Sequence, residues 1–128
     1  MDISKLNVQK ACDVPKRMSL YNPFTKETLL DDEGKTLDIF VYGIKSNVAR
    51  NAKKERDRKY GSVKSLTKEQ ETQSGAEFLA ALTQGYTDNI ENADGPYKDA
   101  LTMYLEQDWI AEEVLEYAYN IGNYNPNV

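Results

Sequence analysis

The chain has 128 residues, 29% of them charged, with a formal net charge of −5 and a mean hydropathy of −0.70. This is the length of one ordinary domain with a polar exterior, and no apolar run approaches the ~18–20 residues that span a bilayer. With no histidine and with Cys12 as the only cysteine, neither an intrachain disulfide nor a Ser-His-Asp or Cys-His device can be assembled from this chain.

The amino terminus lacks the basic-then-apolar layout of a signal peptide, so a cytoplasmic protein is expected. Asp2 is positioned to cap a short helix through Ile3, Leu6 and Ala11, in a segment, 1–16, expected to be loose and closed by Pro15. Met18 and Leu20 alternate on one side of a strand from Arg17 to Tyr21. Asn22 and Pro23 predict a turn, Glu27 to Leu30 a second strand, and Asp31 to Lys35 a tight hairpin in which Gly34 supplies positive φ. In the third strand, Thr36 to Tyr42, residues Leu37, Ile39 and Val41 face the core. Asp38, Phe40 and Tyr42 face the other way, under a helix or a partner.

Ser46 then caps a polar helix that runs to about Tyr60, is ended by Gly61, and carries a thin apolar stripe of Val48, Ala49 and Ala52. Thr67 and Gln70 form a capping box for a helix whose buried stripe is Ala76, Leu79, Leu82, Thr83 and Tyr86, beside Phe78, and which Gly85 breaks. A polar loop, 88–95, surrounds Ile90. Pro96 suits the first turn of the next helix, with Tyr97, Leu101, Tyr104 and Leu105 buried. Asp108 caps a last helix from Trp109 to Asn120, buried through Trp109, Ile110, Val114, Tyr117, Ala118 and Ile121, with Glu112, Glu113 and Glu116 on its solvent side. Residues 122–128 read as coil. The fold class expected is α+β, mainly α: a single domain, 1–128, with a small N-terminal antiparallel β-meander followed by about four helices.

Charge is polarised along this order. Residues 50–64 carry seven bases against two acids, whereas residues 85–128 carry one base against nine acids. Lys53, Lys54, Arg56 and Arg58 are therefore candidates for an electrostatic docking face. Phosphate neutralisation by the same cluster is the nucleic-acid alternative, weighed against a solvated helix with internal ion pairs and against docking on the acidic half of a second copy. The C-terminal glutamates read as solvation and not as metal ligands, because nothing supplies a second ligand set. Trp109 reads first as core. It is also a candidate contact anchor, as are Tyr119 and Tyr124, which fall off the buried stripe and are expected to be exposed. Cys12 reads as an inert apolar residue. No catalytic, metal or cofactor-binding residue is assigned.

The residues Asn22, Pro23, Phe24 and Thr25, then Leu29 through Gly34, then Ile39 through Gly43 and Ser46, form an ordered set. It continues with Gly85 and Tyr86, Ile90, Asp94 and Gly95, Tyr104, Trp109 and Ile110, and Asn123 and Tyr124. In this order the chain resembles the tail assembly chaperones of long, non-contractile-tailed bacteriophages, over most of residues 18–125. Lys26 stands where that family often has glycine, and Tyr86 and Tyr124 stand for a tryptophan and a phenylalanine. The resemblance implies a cofactor-free, non-enzymatic protein of the host bacterial cytoplasm, absent from the mature virion. It would bind the tape measure protein, recruit the tail tube protein through a frameshifted longer form, and self-associate. A head–tail connector or tail component, and a small nucleic-acid-binding regulator, are the alternatives.

Overall fold

The computed structural model describes residues 1–127. Two capped turns open it. Asp2 accepts from the Ser4 amide at the head of a 3₁₀ turn, Ile3–Lys5, and Asn7 caps a short helix, α1 (Val8–Cys12). The chain then builds an antiparallel sheet in the order β1 (Lys16–Ser19), β2 (Asp38–Val41), β3 (Thr83–Tyr86). Met18 lies opposite Ile39, and Ile39 opposite Tyr86, so the alternation of β2 sets one apolar face for all three strands. Met18, Ile39 and Val41 are buried there, as expected. On the other face the Arg17 guanidinium lies 5.8 Å from the centre of the Phe40 ring.

Between β1 and β2 the expected strand Glu27–Leu30 does not form a ladder of its own. Leu20 donates its amide to Leu37 and accepts from Leu29, and the Asn22 amide bonds Glu27. The segment is thus pinned by isolated bridges, Tyr21 with Thr28 and Leu30 with Thr36, at two successive turns. The second turn is the predicted hairpin. Gly34 has φ +78°, and the Asp31 carboxylate accepts from the Glu33 and Lys35 amides, both at 2.9 Å. The first turn places Lys26 at φ +65°, with Asn22 Oδ1 accepting from Phe24.

Helix α2 (Asn47–Tyr60) starts at Ser46, whose buried hydroxyl accepts from the Ala49 amide at 3.0 Å. Helix α3 (Lys68–Leu82) starts in the predicted capping box, with both reciprocal bonds of Thr67 and Gln70 present. It ends three residues before Gly85 because residues 83–86 become β3. The strands are therefore not all N-terminal. A two-residue hairpin, β4 (Glu91–Asn92) with β5 (Gly95–Pro96), holds buried Ile90 in place. Pro96 lies in that hairpin and not in a helix. Helix α4 (Ala100–Glu106) is capped by Asp99 instead, and α5 (Asp108–Tyr119) begins with Asp108 already helical and with no side-chain cap.

The core lies between the sheet and α3, α4 and α5, and consists mainly of Leu20, Ile39, Val41, Leu79, Leu82, Met103, Tyr104, Ile110, Val114 and Ala118. Each fully buried aliphatic side chain there contributes about 1.5–3 kcal/mol of hydrophobic stabilisation. Met103 joins the stripe expected for α4, and Leu105 leaves it for the surface. The exit from β2 ties the layers together. Tyr42, Gly43 and Ile44 donate their amides to the carbonyls of Leu82, Cys12 and Ala118 at 2.9, 3.1 and 3.0 Å. Gly43 is required at this crossing, because a Cβ there would collide with the Cys12 side chain. Cys12 is buried and its thiol is pushed up by desolvation. Among the described residues no helix is long and apolar enough to cross a membrane.

The C-terminal segment corrects the expected coil. Residues Ile121–Tyr124 form a 3₁₀ turn. Ile121 is 48% exposed, off the buried stripe assigned to it, while Tyr124 is 1% exposed. The Tyr124 hydroxyl donates to the Val41 carbonyl at 3.0 Å, and its ring meets that of Tyr117 edge-on at 5.9 Å. Val128, the last residue of the expected coil, lies outside the described residues.

Candidate functional site

Helices α2 and α3 pack side by side and leave an open groove of about 410 Å³ between them, with Val48, Ala52, Phe78 and Ala81 as its apolar lining. The lining comes from the thin stripe of α2 and from the facing side of α3. The walls are held by charge-assisted bonds. Lys59 Nζ lies 2.7 Å from Glu77 Oε2, and the Tyr60 hydroxyl donates to Glu77 Oε1 at 2.7 Å. These two donors, Lys59 first, hold the Glu77 carboxyl below its ordinary range, and Glu77 in turn raises Lys59. Arg56 lays its guanidinium 4.7 Å from the centre of the Phe78 ring, a cation–π contact that roofs the apolar lining.

Of the basic residues expected to form a docking face, Lys53 and Lys54 project into solvent. Arg58 is forked onto Glu55, with Nη2 to Oε2 at 2.8 Å, which lowers the Glu55 carboxyl. Arg56 belongs to the groove itself. The basic cluster is therefore partly self-neutralised, and its partners are the residues that also line the groove. Phe78, Tyr60 and Glu77 were not singled out by sequence reasoning as part of a site. The available signal was the aromatic Phe78 beside the expected α3 stripe, and Phe78 is itself buried in the core cluster.

The aromatic candidates fall elsewhere. Tyr119 is 62% exposed, as expected, near the end of α5. Trp109 is partly buried and packs against the core, with its indole N–H donating to Gln107 at 3.1 Å. Tyr124 is not a surface anchor, because its hydroxyl is consumed by the central strand. Helix α3 lies between α2 and α5, packing on both, so the basic and aromatic candidates do not converge on one patch.

Two acids are buried, and their environments differ. Asp38, 1% exposed, accepts from Ser19 Oγ at 2.6 Å, Thr36 Oγ1 at 3.0 Å and Arg17 Nε at 3.0 Å. Glu113, 8% exposed, has no hydrogen-bond partner on either carboxylate oxygen. The expectation that it lies on the solvent side of α5 is overturned: Trp109, Glu113 and Tyr117 are spaced by four, and that spacing faces the sheet. Burial pushes the Glu113 carboxyl up to about 7, while Lys26 and the Tyr21 amide draw it down and Glu116 adds repulsion. Glu112 and Glu116 are exposed. Among the described residues no group of three or more acids and cysteines is placed to hold a metal ion.

No protein-family model, curated protein or solved structure matches the chain.

Proposed function

We propose that this chain is a bacteriophage tail assembly chaperone, a non-enzymatic protein that binds the tape measure protein and promotes assembly of the tail tube around it. The observation that carries the reading is the α2–α3 groove. Its apolar lining, bordered by Arg56, Lys59, Glu55 and Glu77, offers an amphipathic helix both a surface for its apolar face and charges of both signs along its edges. A tape measure protein is long and helical, and its apolar stripes need cover until the tube encloses them. The order of short motifs from Asn22 to Tyr124 supports the same reading. On this view the protein works in the host cytoplasm and leaves before the virion is complete. Tyr119 offers a further aromatic contact, and the tail tube protein is engaged through a frameshifted longer form.

Nucleic-acid binding through α2 is the weaker reading, since Arg58 and Lys59 are already paired with carboxylates and Arg56 with an aromatic ring. A head–tail connector or tail component would instead co-purify with virions.

Co-expression with the long protein encoded immediately downstream tests the proposal. The chaperone reading expects that protein to become soluble and to co-purify with this chain, and expects Ala81→Glu, which places a charge at an exposed position of the groove lining, to abolish capture while the variant stays folded. A downstream protein whose solubility is indifferent to this chain overturns the reading.

A further inference from the structure

Glu113 does not serve the α2–α3 groove. It lines a separate cleft of about 240 Å³ between β1, the chain at Tyr21 and the C-terminal half of α5. A buried carboxylate short of donors is costly, by several kcal/mol when ionised, and the fold gives Asp38 three side-chain donors while giving Glu113 no side-chain donor, only the neighbouring Tyr21 amide. No cation forms an ion pair with it among the described residues. Arg17, which also lines the cleft, is bound to Asp38, and Lys26 stands 5.1 Å above the Tyr21 ring and acts on Glu113 only at a distance. Beside Glu113 the cleft holds Glu116, the rings of Tyr21 and Tyr117, and the side chains of Asn120 and Asn123. Asn123 Nδ2 donates to the Tyr117 carbonyl at 3.0 Å, which leaves its Oδ1 free to accept.

We propose that this cleft is a recognition site for one arginine side chain of a partner polypeptide, with Glu113 as its buried counter-ion. The chemistry is specific to a planar cation. Two carboxylates one helical turn apart and an amide oxygen accept its N–H groups, and the tyrosines lining the cleft supply aromatic surface beside them. The volume is below the ~300–1,000 Å³ of ordinary small-molecule pockets and suits a single long side chain. No side-chain hydrogen bond restrains the Glu113 carboxylate, so rotation about its side-chain bonds can bring it to an entering cation. The assignment is independent of what the partner is and of the α2–α3 groove.

The test is an amide-shift NMR titration of the full chain at pH 8 with the peptide acetyl-Gly-Arg-Gly-amide, and with its citrulline analogue, which keeps the shape and removes the charge. Saturable shifts centred on Tyr21, Glu113, Tyr117 and Asn120 are expected for the arginine peptide. Affinity should be at least tenfold weaker for the citrulline peptide and for Glu113→Gln, and unchanged for Glu112→Gln, an exposed acid on the same helix. A second arm needs no variant. At pH 5.5 Glu113, whose carboxyl burial pushes up to about 7, is protonated, so the wild-type chain should lose binding at least tenfold. Equal binding of the citrulline peptide, equal damage from Glu112→Gln, shifts spread along the exposed acids of α5, or no saturable shifts at all would each overturn the site.

Discussion

At the scale of the residue, Glu113 ties stability to pH. Its carboxyl is pushed up to about 7 in the folded chain, against 4.5 for an ordinary glutamate. Below about 4.5 it is protonated in both states and carries no penalty. Between these values the unfolded chain releases the proton and the folded chain keeps it, so stability falls as pH rises, and above 7 the full penalty is present. The gap corresponds to a loss on the order of 3 kcal/mol. The groups that face or influence it are Tyr21 and Lys26 from the first turn, Glu116 and Tyr117 from its own helix, and Arg17 on β1, whose charge is held by Asp38. Glu113→Gln should therefore flatten the decline in unfolding free energy between pH 4.5 and 8, as measured by urea denaturation. A variant with the same pH slope as the parent would show that this carboxyl is not the source. Lys26 offers a purely conformational test. Its φ of +65° is a conformation that side chains adopt at a cost of roughly 1–2 kcal/mol and glycine adopts freely. Lys26→Gly and Lys26→Ala both remove the ammonium and the long side chain, so their difference isolates the backbone. Thermal denaturation at pH 5 should find the glycine variant more stable by about 1–2 kcal/mol, and equal midpoints would refute the assigned conformation.

At the scale of the element, the two long N-caps are chemically alike and differ in surroundings. Thr67 sits in an exposed capping box, where water can replace its bond to Gln70, so Thr67→Ala should cost about 1 kcal/mol. Ser46 is buried where β2 turns into α2, and the Asn47 amide beside it is already committed to Asp13 at 2.7 Å. Ser46→Ala leaves the Ala49 amide without an acceptor and without water, and should cost about 2 kcal/mol, the upper end for a cap. Denaturant midpoints that rank the two variants in the opposite order would contradict this. These caps were legible in the sequence because capping is local: a hydroxyl meets an amide two or three residues on. Strand β3 was not legible for the opposite reason. Thr83 and Tyr86 continue the helical spacing of Leu79 and Leu82, and only pairing with Phe40 and Val41, more than forty residues away, makes residues 83–86 extended. Glu113 was hidden by its own chemistry: the spacing with Trp109 and Tyr117 points inward while the residue type suggests solvent. Neither the α2–α3 groove nor the Glu113 cleft has a sequence signature, since each is made by the distance between two elements.

At the scale of the whole molecule, the sheet is a meeting point of three distant segments, and the chain closes on it from the C-terminal end. The step that completes the closure is the insertion of Tyr124 beside α1 and β2. Its ring fills space next to Tyr117, and its hydroxyl satisfies the Val41 carbonyl across 83 residues of sequence. Desolvation pushes that hydroxyl above the ordinary tyrosine range, which favours its donor form. The two contributions separate by substitution. Tyr124→Phe keeps the ring and removes the hydroxyl bond to the Val41 carbonyl, a loss of about 0.5–1.5 kcal/mol. Tyr124→Ala also removes the ring and leaves a cavity, a loss of about 3–5 kcal/mol. Because Cys12 lies in the same layer as Tyr124, opening of this layer should expose its thiol. Labelling by a thiol reagent under native conditions should therefore accelerate in the order parent, Tyr124→Phe, Tyr124→Ala. Acceleration that tracks the loss of global stability would place Tyr124 within the single cooperative unit. Acceleration far beyond it would identify the C-terminal turn and α1 as a flap that opens on its own. A Cys12 labelling rate unchanged in both variants would mean that Tyr124 does not seal this layer at all.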